Sequence, residues 1–255
     1  AQTVASARIV AKEPVVACGL PVWAELMNQI APAQCSLLSI VQEGTRVEEG
    51  QSLAAMRGPA RAMLAGERIA MNLICHLTGI ATTTSRFVSV AGDLTVLDTR
   101  KTTPGQRIIE KYAVRIGGGS NHRMSLDTGV LIKENHIISA GSVRAAVMSA
   151  KEHTPEGIKV ECEVQNLEEL REAIEAGTDA ILLDNMSNAQ ITEYALFVQQ
   201  NAPHVFVEAS GNMNLKRIAS LAPIASQGLN AISVGALTHS RPYADLSMLM
   251  ELEGI

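Results

Sequence analysis

Basic side chains crowd one short stretch of an acidic chain. Between Asp98 and His136 the sequence reads DTRKTTPGQRIIEKYAVRIGGGSNHRMSLDTGVLIKENH, against a net charge of -5 for the whole. The stretch holds Arg100, Lys101, Arg107, Arg115, Arg123 and Lys133, with two of the six histidines, His122 and His136. Several of these stand where apolar runs (TVLD, VLI) stop. A cation at a strand end is costly to desolvate and normally has an anion to meet. The stretch therefore reads as the floor of a site for a polyanionic small substrate.

The elements that must position these groups follow from the surrounding pattern. After Gly92, apolar and largely β-branched runs recur: TVLDTRK, VLIKENH, IKVECEV, AILLDN, HVFVEAS and AISVGA. Helical segments such as Asn166–Ala176 and Asn188–Gln199 separate the later ones, at the spacing of βα units. Six strands, with room for a seventh, fall short of the eight of a closed barrel, so the expected architecture is an incomplete barrel or open parallel sheet. Ligands of such folds bind at the carboxyl ends of the strands. Those ends carry Arg100 and Lys101; Lys133 and His136; Glu161 and Glu163; Asp184; Glu208 with Ser210 and Gly211; and Gly235. Two carboxylates from neighbouring strands suit Mg2+ beside a polyphosphate. Glu161 and Glu163 share a strand face, and geometry alone does not choose between them as partner of Asp184. Ser210, Gly211 and Gly235 offer backbone N–H groups for a phosphate.

Upstream, short alternating runs up to about Ala55 predict a small β-rich region, with EGTRVEEGQSLAAM read as a hairpin and its continuation. From Pro59 to about Ala91 the apolar spacing is helical, with Gly79 expected to break or kink it. Arg68, Asn72 and His76, at i, i+4 and i+8, form one polar stripe there.

Composition narrows the function. Aromatic residues are 3% of the chain, too few for base-stacking recognition of single strands, and the acidic balance disfavours a general phosphate-backbone binder. The four cysteines show no C-x-x-C pair and read as thiols of a reducing, cytoplasmic compartment. No run is apolar for long enough to span a membrane, and the start lacks the order of a signal peptide. The triple glycine Gly117–Gly119 matches neither a dinucleotide fingerprint nor a P-loop, and no nucleophile elbow or H-E-x-x-H zinc motif occurs.

DTRKTTPGQR, GGGSNHR, LIKENHI, LLDN, EASGN and SVGALTHS, with GERIAMNLICHLTGIAT, together resemble the quinolinate phosphoribosyltransferase family, from about Lys12 to Ser240. The resemblance implies an α/β protein of two domains. These are an N-terminal sandwich-like α/β domain over 1–92, with the tail 241–255 packing back on it, and an open α/β barrel of type II phosphoribosyltransferase kind over 93–240. It implies a homodimer in which Arg68 is donated across the interface. Arg100, His122, Arg123 and Lys133 would surround the two carboxylates of quinolinate, and Lys101 and His136 would line the site. Glu163, selected over Glu161 by the family spacing to the LDN aspartate, and Asp184 would face the ribose and Mg2+, with Lys133 as the third catalytic group. Ser210, Gly211, Gly235 and His239 would hold the 5′-phosphate. Family members usually open with a segment carrying an acidic G-D-x-T stretch that helps cover the site. Nothing like it precedes Ala1 in this sequence, so turnover more than fold is the property expected to depend on it. The interval from Arg68 to Arg100 is slightly shorter than usual, which places the difference in a loop near Gly92.

Three other readings remain at this point. A paralogue associated with molybdate transport would keep the fold but need not keep the full dicarboxylate cluster. A non-catalytic phosphate-sugar binder gains nothing from Glu163 and Asp184. A nicotinate-specific, non-carboxylating transferase would need fewer cations.

Overall fold

A computed structural model of the chain describes residues 3–253. It divides into two compact units. The first takes the chain up to Ser85, then Thr103–Gly118, and the chain from Leu237; the second takes Arg86–Thr102 and Gly119–Ala236.

The first unit opens with β1 (Val4–Ala11), β2 (Val15–Val16), α1 (Leu20–Ile30), β3 (Ser36–Ile40), β4 (Arg46–Val47) and β5 (Ser52–Pro59), then enters the long helix α2 (Ala60–Ala91). Its main sheet is antiparallel, and β5 pairs with both β1 and β3. The EGTRVEEGQSLAAM stretch is not a hairpin, because β4 pairs with β2 and leaves β5 to the larger sheet. Alternation along β1 turns Ala5, Ala7 and Ile9 inward onto Trp23, Met27, Met63 and Ile74.

Helix α2 runs unbroken through Gly79. A Cβ at Gly79 would meet the Pro242 carbonyl oxygen at 2.3 Å, so this glycine serves a close backbone approach and not a break. The polar stripe also divides. Arg68 and Asn72 are exposed, whereas His76 is buried.

The second unit is built on β6 (Thr95–Leu97), which leads by way of α3 (Arg107–Ile116, in the first unit) to β7 (Val130–Ile132). Then come α4 (Glu134–Ala140), α5 (Val143–His153), β8 (Val160–Val164), α6 (Leu167–Glu175), β9 (Ala180–Asp184), α7 (Asn188–Asn201) and β10 (Phe206–Ser210). The succession ends with α8 (Leu215–Leu221), a 3-10 turn, β11 (Ala231–Ser233), the short α9 (Ala236–His239) and, back in the first unit, β12 (Leu246–Leu252), antiparallel to β1. All six expected runs form strands of one parallel sheet, in the order β6-β11-β10-β9-β8-β7. Ile181, Leu183, Val207 and Ala209 are fully buried, as in a sheet covered on both faces. Helices α6 and α7 start on side-chain caps, Asn166 and Ser187, which fixes where each loop ends.

That order leaves an open seam. The first strand, β6, pairs with the last, β11, and not with β7. An extended stretch at Ser120 lies in parallel against Leu97, with Ser120 N–H donating to the Val96 carbonyl. The chain that fills the seam thus delivers His122 and Arg123 to the carboxyl ends of the strands.

Candidate active site

One cavity of about 200 Å3 opens at those strand ends. Arg100, Lys101, His122, Arg123 and Lys133 line one part of it, and Asp184, Ser210, Glu208 and Ser233 another. Asp98, fully buried at the end of β6, sets the first part in place. Its Oδ1 accepts from the His122 backbone N–H at 2.9 Å and its Oδ2 from Asn121 Nδ2 at 2.6 Å.

Arg123 is half-buried, and its Nη1 donates to the Gly129 carbonyl at 2.8 Å. Burial, and then the neighbouring Arg100 charge, pull the Arg123 guanidinium below its ordinary pKa, with Glu161 opposing. Two adjacent guanidiniums in a confined site form a preorganised seat for an anion.

Lys133 Nζ lies 2.8 Å from Glu163 Oε2, and this pair joins the ends of β7 and β8. His136 reaches back from the first turn of α4 to accept the Lys133 backbone N–H on Nδ1, at 3.0 Å. It lines, together with Arg123, a neighbouring cavity of about 380 Å3. Asp184 accepts from Asn185 Nδ2 at 2.7 Å.

Next to Asp184 the loops after β9 and β10 interlock. Gly211 has φ +91°, and a Cβ there would meet Asn185 Oδ1 at 2.2 Å, so both backbone conformation and space exclude a side chain. Arg217, which the sequence reading passed over, donates to the Gly211 carbonyl at 2.6 Å and also to the Met186 carbonyl. It clips the two loops together. Nothing in its sequence context marks it as different from a surface arginine. Gly235 follows β11 at the start of α9. His239, at the end of α9, and Arg68 belong to the first unit. There Arg68 lines a cavity of about 400 Å3 with Asn72, Cys75, Tyr243 and Asp245.

Beneath the cations lies a group the sequence reading had only in fragments. His122 Nε2 is 3.1 Å from Glu161 Oε2 and 3.5 Å from Glu208 Oε2. His122 Nδ1 accepts the Arg123 backbone N–H at 2.8 Å, so the ring hydrogen sits on Nε2 and faces both acids. Burial, then the Glu161 charge, push the Glu208 carboxyl up to about 7. The three ligand atoms lie within 4.8 Å of one another, a spacing that a cation could bridge. A shared proton does the same electrostatic work, and the adjoining Arg123 favours the smaller added charge. The alternation of β8 placed Glu161 with Glu163 on one face, and Glu208 was read as a strand-end group with Ser210; which member lies deeper needed the stagger of the sheet.

Residues 1–78 match the family described as quinolinate phosphoribosyl transferase, N-terminal domain, and residues 80–249 the corresponding C-terminal domain. A probable nicotinate-nucleotide pyrophosphorylase [carboxylating] of Synechocystis sp. is 41% identical over 244 residues, covering 95% of this chain and 81% of that protein. The nicotinate-nucleotide pyrophosphorylase [carboxylating] of Rattus norvegicus is 35% identical over 254 residues, covering 98% and 83%. The crystal structure of NadC from Streptococcus pyogenes superposes with a TM-score of 0.92 at 36% identity, covering 99% of this chain and 88% of that one.

Proposed function

The chain belongs to the quinolinate phosphoribosyltransferase family, and from that premise we propose that it catalyses carboxylating phosphoribosyl transfer in NAD biosynthesis. Quinolinate and 5-phosphoribosyl 1-diphosphate give nicotinate mononucleotide, diphosphate and carbon dioxide. The observation that carries this reading is the single cavity lined by Arg100, Lys101, His122, Arg123 and Lys133. A ring with two carboxylates and a sugar diphosphate demand that much positive charge; a ring with one carboxylate does not.

Arg100, Arg123 and Lys133 hold the ring carboxylates and present its nitrogen to the anomeric carbon, with His122 fixed beside them and Lys101 and His136 at the margin. Most of the gain is positioning, because the two anionic reactants repel each other in water. As diphosphate leaves, positive charge grows on the ribose, and Glu163 and Asp184 stabilise it. Ser210, Gly211 and Gly235 hold the 5′-phosphate. Carbon dioxide departs once the ring nitrogen is quaternised; the electron pair left on C2 is stabilised by that nitrogen and takes up a proton from water. No side chain acts as a covalent nucleophile.

Glu163 and Asp184 fit magnesium as its protein donors. Both offer only carboxylate oxygens and both are half-buried at the ends of neighbouring strands. When bound there, magnesium would supply charge neutralisation for the diphosphate. Lys133 then exchanges its contact with Glu163 for one with substrate.

The working assembly is a homodimer in which Arg68 serves the partner's site. Arg68 is exposed on α2 between the exposed Leu64 and Ile69, and the edge strand β3 exposes Leu37, Leu38 and Ile40, apolar surface suited to a second copy. A cytoplasmic location fits four cysteines that form no disulfide, and no described helix is long and apolar enough to cross a membrane.

The test is incubation of the purified chain with quinolinate, 5-phosphoribosyl 1-diphosphate and Mg2+, with nicotinate as the parallel substrate and mass spectrometry as the readout. Nicotinate mononucleotide from quinolinate alone is expected. Equal product from nicotinate would overturn the dicarboxylate assignment, and absence of product from either would favour a binding protein of the same fold.

A further inference from the structure

Glu161 on β8 and Glu208 on β10 meet beneath His122, and both are buried. The single Nε2–H of His122 serves two carboxyl groups. Glu161 Oε1 is buried without a hydrogen-bond partner, although an acceptor so placed is costly to leave bare. Glu208 is 2% exposed and still lines the cavity. A proton on Glu208 brings a second donor to a group whose ligand atoms lie within 4.8 Å of one another. We propose that Glu208 is a positioning residue for the dicarboxylate substrate: held as a neutral acid against Glu161, it keeps the floor beneath His122 at one negative charge when the anionic ring enters.

This rests on the quinolinate reading and deepens it. The groups facing Glu208 are Glu161 from β8, Asp98 from the end of β6, His122 from the seam and the Ser233 hydroxyl from β11; its register neighbour on β9 is the apolar Leu182. Burial acts most strongly to keep the proton on, followed by Glu161 and, more weakly, Asp98, while His122 and Ser233 oppose them. A dianion arriving above Glu208 tightens its hold on the proton. By linkage, loss of that proton weakens the dianion by the same factor, up to about tenfold per pH unit above neutrality.

Titration calorimetry of quinolinate on the full chain at pH 7.5, in buffers of different ionisation enthalpy, should show proton uptake. Quinolinate KM should rise roughly tenfold from pH 7 to pH 8.5, with kcat changing less. In Glu208→Gln, which keeps the shape and carries a permanent donor, the uptake disappears and the slope of KM with pH flattens. In Glu161→Gln the rise begins at lower pH, because the charge that pushes Glu208 up is gone. Proton uptake and slope that persist in Glu208→Gln overturn the inference and leave the functional reading standing. So does a kcat lost at every pH with the slope unchanged, the mark of a proton donor to product. Failure of the folded wild-type chain to bind quinolinate overturns both.

Discussion

Among the described residues two histidine–glutamate groups stand out, one buried and one part-buried, and they are finished to different degrees. In the first unit, His76 Nε2 lies 2.9 Å from Glu110 Oε1, while Glu110 Oε2 accepts the Thr103 N–H at 3.0 Å. The Arg241 guanidinium contacts the His76 ring and sits over Tyr243, 5.1 Å from its centroid. Both oxygens of Glu110 are occupied. In the second unit, the His122 group keeps one bare carboxylate oxygen, on Glu161, and forms the floor of a cavity lined with cations. A satisfied buried network rigidifies its surroundings, and an incomplete one is poised to take up a proton or a ligand. Burial of a histidine therefore says little about its use until the second oxygen of its partner has been accounted for.

The largest effect expected from breaking this contrast is structural. Glu110→Ala strands the buried His76 beside the half-buried Arg241 and should lower the unfolding free energy by about 3–5 kcal/mol in urea titrations. Arg123→Ala should do the reverse, leaving the melting temperature near wild type but lowering kcat/KM for quinolinate about 100-fold or more. Gly211→Ala comes next, with strain at φ +91° and a clash with Asn185. About 1–3 kcal/mol of stability should go, together with a rise in KM for the sugar diphosphate.

The contrast sharpens in the pH dependence of stability, where the two groups have opposite signs. Glu208 is raised from 4.5 to about 7, so its neutral form is favoured by folding; that contribution is complete below 4.5, falls as pH rises towards 7, and is then flat. His76 is lowered from 6.5, by burial first and Arg241 second, with Glu110 opposing, so stability is lost as pH falls below 6.5. Urea midpoints between pH 4.5 and 7 should lose the falling component in Glu208→Gln and the rising one in His76→Gln.

Much of this was legible in the chain. The six parallel strands announce themselves because a sheet buried on both faces must be apolar throughout, and the groups at their ends must then be polar for a reason. The pairing partner of β4, the continuity of α2 and the burial of His76 were not legible, because each depends on a segment distant in sequence: Val15 and Val16 for β4, Pro242 for Gly79, and Glu110 and Arg241 for His76. Glu208 could be assigned to a strand end but not to a depth. Arg217 could not be found at all, since its partners are backbone carbonyls, which every residue has.

The order of strands in the two sheets also has a consequence for synthesis. The barrel strand made first, β6, has its ladder with the one made last, with Thr95 beside Ala231, and β1 takes one of its two neighbours from β12. As the chain leaves the ribosome, β7 to β10 can assemble in succession, while β6 waits with its cationic loop exposed and β1 keeps one edge bare. Such distant pairings are slow to close and leave strand edges open to other chains in the interval. Nascent chains halted before β11 should therefore be the ones that most need a chaperone.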